Sequence, residues 1–308
     1  MVKVFIDGNQ GTTGLRIFDR LSHRDDIELL TLPEEYRKDV SARKEMINSC
    51  SVAFLCLPDE AAREAVELSE NDDTVIIDTS TAHRTAPGWV YGFPELSADF
   101  EQKIKSAKRI ANPGCHASGF IALVYPLINS GLLDPKSALT CFSLTGYSGG
   151  GKKMIAQYEG EKTDDLLSPR IYGLSQNHKH LREMTTICSL ETEPIFSPIV
   201  ADYYAGMQVC VPVFADMLSG SLGAEGLNDF YRSYYPENGL VKSVAAVDAF
   251  SPSNALAGKD IMEISVTGND KRLLLTARFD NLGKGASGAA IENMNLVLAK
   301  RLDYSLSV

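Results

Sequence analysis

Five short strand-like runs with apolar centres recur through the first third of the chain, at residues 2–6 (VKVFI), 27–32 (IELLTL), 51–57 (SVAFLCL), 74–78 (TVIID) and 108–112 (KRIAN), with helical patterns between them. Strand, helix, strand at this spacing builds βαβ units and a parallel sheet. Strands with so little polar alternation are expected where helices cover both faces of the sheet, so the opening third predicts a doubly wound, Rossmann-like domain.

Beyond residue 112 the texture changes. A helix is expected over 115–130, followed by strand-like runs at 139–145, 206–214, 240–247, 261–267 and 272–279 with few helices among the later ones, which predicts an α+β unit with a mixed or antiparallel sheet. Apolar residues at Ile291, Met294, Leu298 and Leu302 predict a last helix over 287–302 that returns to the first domain. The fold class is therefore α/β, with a doubly wound domain suited to a dinucleotide expected at 1–114 and 285–308 and an α+β domain at 115–284.

At 308 residues the chain has room for two such domains, and its 44% hydrophobic and 23% charged residues suit buried cores rather than disorder. A net charge of −10 with no dense Lys/Arg run argues against nucleic acid or an anionic membrane as partner. No apolar stretch approaches the roughly 20 residues that span a bilayer, and Met1 runs straight into a strand, so a cytosolic chain is expected. Six scattered cysteines without a C-x-x-C pair fit a reducing compartment, and all but Cys115 lie in apolar runs suited to inert buried thiols.

Directly after the first strand stands DGNQGTTG, with Gly8, Gly11 and Gly14 ahead of a helix expected to open at Leu15. Between a strand and a helix, absent side chains let backbone amides approach a pyrophosphate, whose charge the helix N-terminus favours. The second strand ends Leu30, Thr31, Leu32, Pro33, without the acidic residue that binds a ribose 2′-hydroxyl, which points to NADP over NAD. Arg37 and Lys38 follow within reach of a 2′-phosphate, but for either a solvated charge is the plainer expectation.

Cys115 stands in ANPGCHASG, where Pro113 and Gly114 end a strand and a helix follows, so its sulfur is expected at a helix N-terminus on the carboxyl edge of the sheet. Oriented amides lower a thiol's pKa from about 8.5 and make it a nucleophile near neutrality. A partner base is sought among five histidines. His178 and His180 open a helical pattern in QNHKHLREM, with Glu183 placed to orient His180; His116 is expected to face another way and is the weaker candidate. Histidines two apart do not share a helix face, so no metal site is expected there.

Taken together, the glycine triad, NPGC and HKHLREM resemble the N-acetyl-γ-glutamyl-phosphate reductases of arginine biosynthesis, in their shorter type. YGFPEL (91–96) and DNLGKGASGAAIENMN (280–295) carry the resemblance over nearly the whole chain. It implies reduction of an acyl phosphate by NADPH through a Cys115 thioester, with His178, His180 and Glu183 as acid–base and orienting groups. It further implies substrate contacts from Arg84 in DTSTAHRT, Ser148 ahead of the glycine run 149–151, and Tyr172. Cofactor contacts are implied at Gly8, Gly11, Thr12, Thr13, Gly14, Ser80, Asn281, Gly285 and Ala286, and a homo-oligomer, dimer or tetramer, is implied as well. The rival expectations are an aspartate-semialdehyde dehydrogenase-like enzyme and a dinucleotide-binding module without turnover.

Overall fold

A computed structural model of the chain describes residues 1–220, 222–245 and 249–308. It divides into two compact units, Met1–Pro113 with Ala286–Leu306, and Gly114–Gly285 with Ser307–Val308.

The first unit runs β1 (Val2–Asp7), α1 (Thr12–Leu21), β2 (Ile27–Leu30), α2 (Val40–Ser49), β3 (Val52–Leu55), α3 (Asp59–Glu67), β4 (Val75–Asp78), β5 (Val90–Tyr91), α4 (Ala98–Ser106) and β6 (Arg109–Ala111). The sheet is parallel throughout, in the order β2-β1-β3-β4-β6-β5. Alternate residues of its central strands serve two cores. Val4, Ile6, Val52, Phe54 and Ile77 pack with Ile17 and Leu21 of α1 and Ile104 of α4. Phe5, Ala53, Leu55 and Ile76 pack with Ile47 of α2 and Ala65 of α3. Helices on both faces explain why the strands lack polar alternation. The order reverses between β1 and β3, and the glycine turn leaves β1 at that switch point, where ligands of such sheets bind.

The second unit runs α5 (Cys115–Asn129), β7 (Thr140–Gly146), α6 (Gly151–Glu159), β8 (Arg170–Ile171), α7 (His180–Cys188), β9 (Ile195–Ala201), β10 (Met207–Phe214), α8 (Ala224–Tyr234), β11 (Val241–Ser243), β12 (Met262–Gly268) and β13 (Arg272–Phe279). Its sheet is mixed, β11-β12-β13-β10-β7-β9-β8, with parallel pairs β11/β12 and β7/β9. α5, apolar nearly all round and buried over most of its length, packs on β10, β13 and α7.

Three sequence expectations need correction. β9 was missed because Pro198 interrupts its run; proline lacks an N–H, yet here it pairs with Ser143 in a parallel ladder and its carbonyl accepts the Tyr172 amide at 3.0 Å. The strand expected over 240–247 is observed at Val241–Ser243, and residues 246–247 lie outside the described residues. The last helix, α9 (Gly288–Val297), follows a wide turn at Gly283–Ser287 and ends before Leu302, because Ala299 turns the chain with φ 53°. Ala290, Ile291 and Met294 still join the first unit's core, and Leu302 packs against it from beyond the helix.

Candidate active site

In the first unit the glycine turn is shaped by its backbone. Gly8 has φ +87°, and a Cβ there would meet the Cys56 carbonyl oxygen at 2.3 Å, so no other residue fits. A Cβ on Gly14 would meet the Gly8 oxygen at 2.4 Å, whereas on Gly11 the nearest atom would be 3.5 Å away. Gly8 closes the turn against Cys56, just past β3, and Gly14 closes it against Gly8, whereas a methyl on Gly11 would make only ordinary contacts. α1 begins at Thr12, three residues earlier than expected, so Thr12, Thr13 and Gly14 form its first turn. Gly11 caps it without a side chain and no acidic residue follows in that turn, so a phosphate can approach the amides unopposed. Asp7, at the strand end before the turn, is held by the buried Arg43 guanidinium at 2.9 Å.

A cleft beside this turn is lined by Gly8, Asn9, Gln10, Leu32, Leu57 and Arg37. Sequence reasoning set Arg37 aside. The short turn at Glu34–Tyr36 brings it back to the glycine loop, where its exposed partner Glu34 lies at 2.7 Å. The cleft therefore suits the phosphorylated adenosine end of NADP: the backbone of the glycine turn on one side and a cation at its rim.

The loop leaving β4 is held by its own polar groups. Asp78, wholly buried, accepts the Ser80 amide at 2.9 Å and the Ser80 hydroxyl at 2.7 Å, and meets His83 Nδ1 at 2.6 Å. His83 stacks on Trp89 at 4.0 Å. Ser80 thus turns its hydroxyl toward Asp78. Arg84 donates through Nε to the Asn112 carbonyl at 3.0 Å and through Nη2 to the Thr79 carbonyl at 3.1 Å, which ties the loop to the strand ends. Two N–H groups of Arg84, expected for substrate, and the hydroxyl of Ser80, expected for cofactor, bond the protein itself. Ala286 lies in the same unit, its carbonyl accepting from Asn112 Nδ2 at 3.0 Å.

The second unit opens with Gly114 as cap of α5 and Cys115 as its first residue, half-buried and outside any disulfide. The Gly114 amide donates to Glu183 Oε1 at 2.8 Å, a carboxylate on α7 that is 2% exposed. Sequence spacing related Glu183 to His180 alone and missed this bond. It fastens the cap of the cysteine helix to the histidine helix.

His178 and His180 have ring centroids 4.8 Å apart. The His180 amide lies 3.3 Å from His178 Nδ1, which must accept, so a neutral His178 carries its proton on Nε2. Burial, with Lys179 beside it, lowers the His178 pKa. His116, the discounted histidine, joins this cluster at 5.8 Å from His178 and 5.6 Å from His180, with the Phe196 ring 5.3 Å away. In the first turn of a helix, neighbouring side chains splay around the same end, so residues 115 and 116 both reach the region where β7, the end of β8 and α7 meet. His116 Nε2 lies 2.7 Å from the Tyr172 hydroxyl, and burial followed by the Cys115 charge raises that phenol's pKa.

Gly285 stands against the thiol residue: a Cβ there would come within 3.0 Å of Cys115 Cβ and of the Asp280 oxygen. Ser148 and Asn281 meet each other, Nδ2 to Oγ at 3.0 Å, and Asn281 Oδ1 accepts the Gly206 amide at 2.9 Å; both are buried. Within this unit the expected residues thus fall into a Cys115–His178–His180–Glu183–Tyr172 group with Gly285, and a buried Ser148–Asn281 pair.

A nucleotide cradle in one unit and a thiol with imidazoles in the other suit the thiol-dependent oxidation and reduction of aldehydes. The family described as semialdehyde dehydrogenase, NAD binding domain, matches residues 3–106, and that described as semialdehyde dehydrogenase, dimerisation domain, matches 115–281. The chain belongs to the semialdehyde dehydrogenase family and, within it, to the N-acetyl-gamma-glutamyl-phosphate reductases. It is 44% identical to N-acetyl-gamma-glutamyl-phosphate reductase 2 of Nostoc sp., over 96% of each chain. It is also 44% identical to the reductase of Sinorhizobium medicae, over 96% of this chain and 99% of that one. Among solved structures it is similar to aspartate semialdehyde dehydrogenase II from Vibrio cholerae, with a TM-score of 0.74 and 17% identity over 97% of this chain and 99% of that one, a likeness of fold alone.

Proposed function

We propose that this chain reduces N-acetyl-γ-glutamyl phosphate with NADPH to N-acetyl-L-glutamate 5-semialdehyde and phosphate, a step of arginine biosynthesis, through a thioester on Cys115. The observation that carries the reading is Cys115 at the first position of a 15-residue helix with a glycine cap, in the unit that also gathers three imidazoles. Amides of that first turn stabilise the thiolate. The sulfur attacks the acyl carbon, a C–S bond forms, the C–O bond to phosphate breaks, and phosphate leaves with the bonding pair. NADPH, when bound, supplies a hydride to that carbon.

The residues of the chain do the rest. His178, half-buried, donates from Nε2 to the oxyanion that develops on the carbonyl, and His180 behind it holds the ring through its amide. Collapse of that oxyanion breaks the C–S bond, frees the aldehyde and regenerates the thiolate. Glu183 keeps the capping amide and the two helices in register. Gly8, Gly11, Thr12, Thr13 and Gly14 hold the pyrophosphate, with Arg37 at the 2′-phosphate, while Gly285 lets the backbone pack closely against Cys115 and fixes its position. Arg84 and Ser80 shape the β4 loop at the sheet's carboxyl edge.

The chain works as a homo-oligomer in the cytosol. Phe142, Leu144, Ile199, Pro212, Phe214 and Leu274 share one face of the seven-stranded sheet in register, with Phe214 59% exposed, a surface that a second copy would cover. None of the six cysteines is joined in a disulfide, which fits a reducing compartment. Among the described residues no helix is long and apolar enough to cross a membrane.

Turnover assays with N-acetylglutamyl and aspartyl phosphates, and with Cys115→Ala, test the reading. The acetylglutamyl compound is expected to react faster, and Cys115→Ala to lose turnover while retaining NADPH. Faster reaction of the aspartyl compound, or an active Cys115→Ala, contradicts it.

A further inference from the structure

Three side chains from three elements form a hydrogen-bonded line beside the imidazole cluster. Ser143 Oγ on β7 lies 2.7 Å from His116 Nδ1 on α5, and His116 Nε2 lies 2.7 Å from the Tyr172 hydroxyl just past β8. Ser143 is wholly buried and His116 is 3% exposed. Burial, then the charges of His178 and Lys179, push the His116 pKa down to about 3, so the ring is neutral wherever the enzyme works.

A neutral imidazole has one N–H and one lone pair. The two hydroxyls it joins therefore cannot play the same part: one donates to the ring and the other accepts from it. With the proton on Nδ1, Tyr172 spends its hydrogen on the ring. With the proton on Nε2, Ser143 donates to Nδ1, the Tyr172 oxygen accepts from Nε2, and the phenolic O–H is left to donate elsewhere. Tyr172 bonds the ring of the residue next to Cys115 in the first turn of α5 and lies 6.0 Å from the His178 ring, so a negative charge formed at that helix end favours a phenol turned as donor toward it, which selects the second arrangement.

We propose that His116 and Ser143 are positioning residues that hold the Tyr172 hydroxyl as a hydrogen-bond donor to the negative charge formed on Cys115 and its acyl adduct. The line is a brace and not a proton wire, since it ends at a buried hydroxyl and no net proton can leave through it. The proposal rests on the thioester reading of Cys115.

The test is a double-mutant cycle in steady-state turnover. Tyr172→Phe is expected to lower kcat about tenfold to a hundredfold with little change in KM. His116→Phe should match it, the double variant should lose no more than Tyr172→Phe alone, and His116→Gln, whose amide N–H reaches the same oxygen, should recover most of the rate. Wild-type kcat in His116→Phe or in Tyr172→Phe, or losses that multiply in the double variant, would overturn the brace. Should His116→Phe fail to fold, Ser143→Ala carries the same test: kcat falls in the native background and does not change in Tyr172→Phe, whereas a native rate in Ser143→Ala overturns the proposal. Cys115→Ala in the same assay separates the two readings. Continued turnover there refutes the thioester, while an inactive Cys115→Ala beside an unaffected His116→Phe refutes the brace alone.

Discussion

The Gly114 amide and the Glu183 carboxylate meet at 2.8 Å, so the residue capping the cysteine helix is fastened to the helix that begins with His180. Removing the acceptor strands a buried N–H, at a cost of about 1–3 kcal/mol. Glu183→Ala is therefore expected to lower both the urea midpoint and kcat. Glu183→Gln keeps an acceptor oxygen and should hold stability near native. Equal stability of Glu183→Ala and the native chain would show that the bond does not matter.

Gly285 leaves little room for a methyl group, since its Cβ would sit 3.0 Å from both Cys115 Cβ and the Asp280 carbonyl oxygen and these would have to give way. Gly285→Ala should cost about 1–3 kcal/mol by overpacking and displace the thiol. Iodoacetamide labelling of Cys115, followed by peptide mass, is expected to slow together with kcat. An unchanged labelling rate would mean that the displacement does not reach the sulfur.

The glycines of the first turn should separate by role. Gly8→Ala meets the Cys56 oxygen at 2.3 Å with φ +87° and is expected to unfold the first unit or destabilise it by several kcal/mol. Gly11→Ala meets nothing nearer than 3.5 Å, so its stability should fall by about 1 kcal/mol or less while its NADPH affinity drops at least tenfold. Calorimetry and thermal melts check both; native NADPH affinity in Gly11→Ala would remove that residue from the cofactor site.

His116 also predicts an acid-sensitive fold. Its pKa is about 3 in the folded chain against an ordinary 6.5, so between those values the unfolded chain binds the additional proton. Stability from this group is complete above pH 6.5 and falls as pH drops, by about 2 kcal/mol between pH 6.5 and 5. His178, also lowered, acts in the same direction, and Asp7, raised by burial, in the opposite one. Urea midpoints at pH 7 and 5 should show His116→Gln losing less than the native chain. Identical losses would contradict the assignment.

Much of the fold was legible because buried parallel strands are apolar on both faces, as Val52–Leu55 and residues 75–77 are. β9 was not, since Pro198 is tolerated only in its tertiary setting. At the site, Cys115 and the histidine pair announced themselves by their neighbours in sequence. His116, Arg37 and the Glu183–Gly114 bond depend on how helix ends and short turns meet, which no local spacing encodes. Arg84 shows the converse: a side chain well suited to anions donates to two backbone carbonyls.

The central claim is a covalent acyl enzyme on one of six cysteines, none of them in a disulfide. The native protein mixed with N-acetyl-γ-glutamyl phosphate without NADPH, quenched in acid and digested, should carry one N-acetylglutamyl group on the peptide containing Cys115, which added NADPH removes before the quench. An unmodified Cys115 peptide under turnover conditions, or the acyl group on any other cysteine, would contradict it.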